Sequence, residues 1–477
     1  MDLQAAADVY GRDDPHQRKR HLDPVEHSTE KKENHMNNVK SKVALVRCFS
    51  YQQEEVEQAL AKGLAFLGGF SNIFSAKPPA AESVDAAKGS AAGSGDAADR
   101  SLTRDPEADR AGVMSGEPVG LPRRQITTES RLILKPNLLA KTDPDKACTT
   151  HPAVFHAVGK ALQEAGYTNL KYGDSPGNPM IRVEKVAEEC GIKQAADDLG
   201  IPMGDFEHGT QVGFAGRAAD HFVLCNEVLA ADGIINVCKM KTHQLERITG
   251  AMKNTFGCVF GINKGASHAR FATAETFAKM IADLNLLVHP ILHVMDGVVA
   301  MEGNGPQSGT PTPMNVLMLS TDPVALDAVF CHLVNLDPEL VPTNVSGMEQ
   351  GVGTFAEIEV LTEEGRMTPE EVGKKYGNKK FNVQRSKEFR GALKPVRFLK
   401  PFLEKKPVVK REKCVGCGIC VRACPVEGKA IEVRNGKAEY DYSKCIKCYC
   451  CQEMCPEEAI TVKKSLLARI ADRRWRL

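Results

Sequence analysis

Eight cysteines near the C-terminus carry the plainest chemistry in the sequence. They follow the pattern C-x2-C-x2-C-x3-C-P at Cys414, Cys417, Cys420, Cys424 and Pro425, and repeat it at Cys445, Cys448, Cys451, Cys455 and Pro456. Three cysteines on one tight loop can reach three irons of a [4Fe–4S] cluster, while the distant fourth closes the opposite cluster. The spacing therefore predicts two [4Fe–4S] clusters, one on Cys414, Cys417, Cys420 and Cys455 and the other on Cys445, Cys448, Cys451 and Cys424. Zinc is the alternative, but zinc sites are usually built from C-x2-C pairs around four ligands. Here there are two duplicated quartets, each followed by proline. Cys450 is a spare thiol whose register fits neither quartet.

A second group of polar residues recurs where predicted strands end. Lys135 and Asn137, Asp174 and Ser175, Lys239, Lys241 and His243, Asp296, and Ser320 with Asp322 each follow a short apolar run. In open parallel sheets, ligands bind outside the carboxyl ends of the strands, so these side chains are expected to converge on one crevice. Lys239, Lys241, Arg247 and Lys253 suit a small anionic ligand such as a carboxylate or phosphate, and His243 can handle protons or a metal. The candidate catalytic residues are Lys241, His243 and Asp174. The candidate ligand-binding residues are Lys135, Asn137, Ser175, Lys239, Lys253, Asn254, Asp296, Glu302 and Asn304. Glycines in the Gly173–Gly177 turn and in Gly303-Asn304-Gly305-Pro306 allow close approach of backbone to a ligand. Plainer roles compete: Asp322 before Pro323 is an expected N-cap, and a single histidine is more often structural than catalytic. At strand ends, Lys241→Ala and Asp174→Asn are expected to spare the fold. No G-x4-G-K-[ST] occurs, nor a clean G-x-G-x-x-G after a strand, so neither ATP nor a Rossmann dinucleotide is supported.

The elements that must position these groups alternate along the chain. Order is expected to begin after Lys42 with the strand Val43–Val46, followed by a helix with Val56, Leu60, Leu64 and Leu67 on one face and Gly68-Gly69 at its end. Residues 76–128 are an Ala/Gly/Ser/Asp/Pro mixture with few large hydrophobes, read as a flexible insertion. Strands at Leu132–Leu134, Ile234–Val237, Ile291–Met295 and Val316–Leu319 then alternate with helices, one opening at Thr150 with Pro152 in its first turn. A later helix is striped by Phe277, Met280, Ile281, Leu284 and Leu287. This predicts an α/β fold, a mostly parallel sheet with helices on both faces, plus a C-terminal bacterial-type ferredoxin (α+β) domain. Within the latter, Asn435-Gly436 between two short strands signals a type I′ hairpin. The expected layout is a disordered extension at 1–40, the α/β domain at 41–390, a linker at 391–411, the iron–sulfur domain at 412–464 and a basic amphipathic tail at 465–477.

Composition narrows the classes. The 477 residues carry 62 basic and 61 acidic side chains, a net charge of +1, so no global field argues for nucleic acid. The seven cysteines outside the iron–sulfur segment are scattered singly, which fits a reducing compartment and not a secreted disulfide framework. The first residues lack the apolar core of a signal peptide and no run of about 18 apolar residues occurs, so a cytoplasmic protein is expected. The tail interleaves Leu466, Leu467 and Ile470 with Arg469, Arg473 and Arg474. It is expected to dock on the rest of the chain and not on a membrane, because so short a stripe binds lipid only marginally.

Lys135-Pro136-Asn137, Gly173-Asp174-Ser175-Pro176-Gly177, the run Lys239 to Gly261, Glu302-Gly303-Asn304-Gly305-Pro306 and Asp322-Pro323-Val324-Ala325-Leu326-Asp327 occur in that order. Their succession resembles the family called domain of unknown function 362, over about residues 42–465, departing from it in the 76–128 insertion and the long N-terminus. Many members of that family are similar in carrying a C-terminal ferredoxin. The family supplies no reaction. The function expected is an iron–sulfur oxidoreductase or redox-dependent maturation factor, its clusters passing electrons to a small anionic substrate or cofactor in the crevice. The alternatives are a non-catalytic electron carrier or assembly module serving a partner protein, and clusters that are structural or sensing. An electron donor or acceptor protein is the expected partner.

Overall fold

The computed structural model describes residues 40–75, 121, 124–178, 181–261, 263–386 and 405–463. The expected disordered extension, most of the insertion, most of the linker and the basic tail lie outside the described residues.

Nine strands form the central sheet. In chain order they are β1 (Ser41–Arg47), β2 (Leu132–Pro136), β3 (Leu170–Tyr172), β6 (Gly233–His243), β7 (Arg247–Thr249), β8 (Leu292–Glu302), β9 (Thr310–Ser320), β10 (Ile358–Thr362) and β11 (Gly365–Met367). A separate hairpin pairs β4 (Gly209–Gly213) with β5 (His221–Cys225). The sheet order is β11-β10-β1-β9-β8-β6-β2-β3, with β7 on β6. Among the described residues, six strands point one way and β7, β9 and β11 the other, so the sheet is mostly parallel.

The strand pattern explains the layers. Along β1 the side chains alternate: Ala44 and Val46 join a core with Val56, Leu60, Val154 and Val158, whereas Val43 and Leu45 join one with Leu326, Val329 and Phe330. Helices Gln53–Phe66 and Pro152–Glu164 thus cover one face, and helix Pro323–Leu333 the other. Asp322 caps that last helix, Oδ1 accepting from the amides of Val324 and Ala325 at 2.9 Å each, as the sequence predicts. The helix expected to open at Thr150 has His151 as its N-cap and Pro152 at its first position.

Two expectations shift. The strand read as ending at Val237 continues through His243, buried at all 11 positions, because β7 and β8 supply partners for its second half. Likewise β8 runs on past Asp296 to Glu302, paired with β9. Lys239, Lys241 and Asp296 therefore sit within long strands and not at the ends of short ones, and His243 is the last residue of β6. A register shift between Lys239 and Lys241 redirects the chain between the two lysines.

The iron–sulfur segment holds two antiparallel pairs, β12 (Lys406–Val409) with β15 (Ile460–Lys463), and β13 (Ile431–Arg434) with β14 (Lys437–Tyr440). β12 lies inside the stretch read as linker, since pairing with β15 makes it part of the small sheet. Asn435 and Gly436 both have positive φ, 49° and 69°, as a type I′ turn requires. One-turn helices Ile419–Arg422 and Cys450–Glu453 follow left-handed residues at matching places in the two motifs, Gly418 and Tyr449.

Candidate functional site

Cysteines of the two motifs come together in space. Cys414, Cys417, Cys420 and Cys455 line one cavity, together with Gly416, Gly418 and Ala438. Backbone amides point at several sulfurs: Ala438 at Cys414 (3.4 Å), Ala430 at Cys424 (3.4 Å) and Ala459 at Cys455 (3.3 Å). Tyr440 Oη lies 3.0 Å from Cys451 Sγ. Burial and the neighbouring sulfurs of Cys455, Cys417 and Cys414 push the Cys420 thiol up to about 11. Burial, helped by Cys448 and Cys424, raises Cys445 as well. Thiols so crowded ionise only against a compensating cation, and N–H donors aimed at sulfur suit bound thiolates, so the residues fit an iron–sulfur group. No three His, Cys, Asp or Glu side chains among the described residues converge tightly enough for a single metal ion.

A second cavity, of about 80 Å³, lies where the α/β fold meets the iron–sulfur segment. The α/β side contributes Asn137, Asp174, Ser175, Lys241, Thr249, Lys253, Asn254, Gly257, Lys264 and His268, and the iron–sulfur side contributes Ala423, Cys450, Glu453 and Met454. Ala423 and Cys450 immediately precede the motif cysteines Cys424 and Cys451.

Each lysine of this cavity is held differently. Lys241 Nζ donates to Asn137 Oδ1 (2.8 Å) and to the Cys148 carbonyl, and burial brings its pKa down to about 8. Lys264 Nζ donates to the carbonyls of Ser175 and Pro176, and burial brings it to about 8 too. Each ammonium has three protons, so each keeps one for a ligand. Lys253 Nζ rests 5.8 Å from the ring centres of Phe256 and Phe277, with no carboxylate paired to it among the described residues.

An asparagine relay fixes the floor. Asn137 Nδ2 donates to Asn254 Oδ1 (2.7 Å), Asn254 Nδ2 to Asn236 Oδ1 (2.7 Å), and Asn236 Nδ2 to the Ala251 carbonyl (2.9 Å). Beneath it, Lys135 and Asp174 form an ion pair at 2.9 Å with side chains 1% and 5% exposed. Asp174 Oδ2 also accepts from the Leu138 amide (2.7 Å). Gly257 is required here, since a Cβ would stand 1.7 Å from Asp174 Oδ1.

The two halves meet at several points. His243 Nε2 lies 2.8 Å from Glu453 Oε1, although the ring N–H is not aimed at the oxygen, so this is a close contact and not a well-formed hydrogen bond. The amides of Leu245 and Glu246 both donate to His243 Nδ1 (3.1 Å each), which leaves the proton on Nε2. Burial lowers His243 to about 4, so it is neutral near pH 7. Burial pushes Glu453 up, but His243 and Lys253 outweigh it and hold the carboxyl well below its usual range. Gln452 Nε2 donates to the Asn304 carbonyl (2.9 Å), and Asn304 Nδ2 to the Ile460 carbonyl (3.4 Å).

Of the residues singled out in the sequence, Asn137, Asp174, Ser175, Lys241, Lys253 and Asn254 line the cavity, with Lys135 behind Asp174. Lys239 and Asp296 do not. They pair with each other at 2.7 Å and with Tyr51, whose ring stacks on His151 at 3.5 Å. His243 and Asn304 sit at the seam, and Glu302 accepts from the Asn382 amide (2.7 Å). Lys264, His268 and Glu453 were not foreseen. Lys264 and His268 lie four apart on the helix Asn263–Arg270, a same-face spacing the sequence does show. Nothing local marks Glu453, whose place depends on how the segments dock.

Residues 132–332 match the model described as domain of unknown function (DUF362), and residues 406–456 match a 4Fe-4S dicluster domain. A thylakoid-associated protein of Synechocystis sp. is 35% identical over 244 residues, covering 51% of this chain and 75% of that protein. The chain belongs to the DUF362 family. As a DUF362 protein with a 4Fe–4S domain, it is an iron–sulfur protein. The lactate racemase apoprotein of Thermoanaerobacterium thermosaccharolyticum is a remote likeness, with a TM-score of 0.32 and 13% identity over 46% of this chain and 52% of that one. The chain thus spans about half the length of that structure. No described helix is long and apolar enough to cross a membrane.

Proposed function

We propose that this DUF362 protein is an iron–sulfur electron-transfer enzyme, passing electrons from two [4Fe–4S] clusters to a small anion held in the junction cavity. The quartets are Cys414, Cys417, Cys420 and Cys455, and Cys445, Cys448, Cys451 and Cys424. When bound, the clusters supply one-electron reduction, and a partner carrier protein replenishes them.

The observation that carries this reading is the double lining of the cavity. One wall presents Lys241, Lys253 and Lys264; the other is built from residues next to Cys424 and Cys451. Lys253 is the primary anion contact, because no carboxylate forms an ion pair with it among the described residues, Glu453 acting on it only across the cavity. Lys241 and Lys264 each add a free N–H. The iron–sulfur segment closes over these groups and limits water, which strengthens each charge interaction.

The test uses anaerobic protein with its clusters chemically reduced, following the recovery of visible absorbance as small anions are added. At least one anion should accelerate reoxidation, and Lys253→Met should abolish the acceleration at unchanged iron content. If every anion leaves wild type and Lys253→Met alike, the electron-transfer reading fails.

A further inference from the structure

The cavity lining is not simply cationic. Asp174 and Glu453 face the same space as Lys241, Lys253 and Lys264, leaving one net positive charge on the lining. Asp174 Oδ1 and Glu453 Oε1 lie beside Lys135 and His243 but make no well-formed hydrogen bond. Two further polar atoms on the lining have no partner: Thr249 Oγ1 and His268 Nδ1, on residues 4% and 5% exposed. Buried polar atoms are almost always paired, so orphans converging on one cavity mark what its occupant supplies.

A carboxylate can only accept hydrogen bonds. A bare oxyanion placed among the lysines would meet Glu453 with lone pairs on both sides and lose affinity to like-charge repulsion. An occupant that donates toward Glu453 while presenting its own charge to Lys253 satisfies both walls. About 80 Å³ of cavity gives room for roughly five to eight non-hydrogen atoms, taking ~10–15 Å³ for each water-sized group.

Resting on the anion-binding reading above, we propose that the cavity recognises a small carboxylate carrying a hydrogen-bond donor, a hydroxyl or amino group, beside its charged end, and that Glu453 of the iron–sulfur segment reads that donor. The segment then helps select the ligand as well as holding the metal group. His268, stacked at 4.5 Å on Phe277, is held where it can take a second bond when the donor is an amino group, a hydroxyl having only one proton to give.

Calorimetry on the anaerobic, cluster-loaded protein tests this with a matched set: acetate, formate, glycolate and glycine. Glycolate or glycine should bind at least tenfold more tightly than acetate or formate. Glu453→Gln, whose amide both donates and accepts, should cut that preference to less than threefold. Equal affinities in the wild-type protein would overturn the donor requirement while leaving the anion reading intact. A preference unchanged in Glu453→Gln would overturn the role of Glu453. Binding of none of the four would overturn both readings.

Discussion

Asp174→Asn removes the partner of a buried ammonium, and the structure sets the size of the effect. Lys135 and Asp174 lie 2.9 Å apart with side chains 1% and 5% exposed, so water does not replace the lost carboxylate. The amide introduced is nearly isosteric with the carboxylate. Its oxygen can keep the bond from the Leu138 amide, which turns its NH2 toward the ammonium, donor against donor. Lys135 would retain only the Pro136 carbonyl, at 3.2 Å. Breaking a buried pair by removing one partner costs about 3–5 kcal/mol. We expect Asp174→Asn to lose about 3–5 kcal/mol of unfolding free energy at pH 7, read from denaturant curves on the anaerobic protein. Lys135→Met with Asp174→Leu should be more stable than either single variant, since no charge is left unpaired. This reverses the expectation from sequence that the substitution spares the fold. A loss below about 1 kcal/mol would refute the reasoning.

Other outcomes follow from the same geometry. Cys450→Ser should keep about eight irons per chain, whereas Cys420→Ser should drop to about four, by iron and acid-labile sulfide assay. Anion affinity should fall about tenfold from pH 7 to pH 9. Lys241 and Lys264, lowered to about 8 by burial, are mostly ammonium at pH 7 and about a tenth so at pH 9; calorimetry at the two values checks it. Gly265→Ala should raise stability by up to about 1 kcal/mol, since an added Cβ meets nothing within 4 Å and the helix gains propensity. Gly257→Ala should lower it by about 1–3 kcal/mol, because its Cβ collides with the buried Asp174–Lys135 pair; thermal melts compare the two.

What the sequence made legible was local. The spacing from Cys414 to Cys455, the Asn435-Gly436 turn and the Asp322 cap each depend on residues within a few positions of one another, and so can be read before the chain is folded. Strand lengths were misjudged where the ladder partner is remote. β6 and β8 outlast their apolar runs because β7 and β9 return alongside them, so Lys239 and Asp296 became a buried pair with Tyr51 and not crevice residues.

The composition of the cavity was the least legible part, for a related reason. Its lysines come from the α/β fold, and their positive character shows in the run around Lys241 and Lys253. Its second carboxylate comes from the iron–sulfur motif, where Glu453 reads as a solvated residue between two cysteines. Only docking changes that. Gln452, fully buried, donates to Asn304, and this places the adjacent Glu453 against His243 and opposite Lys253. The Gly303–Pro306 loop, read from sequence as a place where backbone approaches a ligand, receives the iron–sulfur segment and lines the cavity through Pro306. A loop that seats the second wall governs the cavity through docking. Asn304→Gly should therefore leave the fold of each half intact and keep the Gln452 bond, which uses the Asn304 backbone. Truncating Gln452 to Ala should loosen the wall. If docking positions Glu453, Gln452→Ala will erase the preference for a donor-bearing carboxylate as Glu453→Gln does, with all irons retained. If the preference survives in Gln452→Ala, Glu453 is placed by its own contact with His243, and the Asn304 seat is only structural.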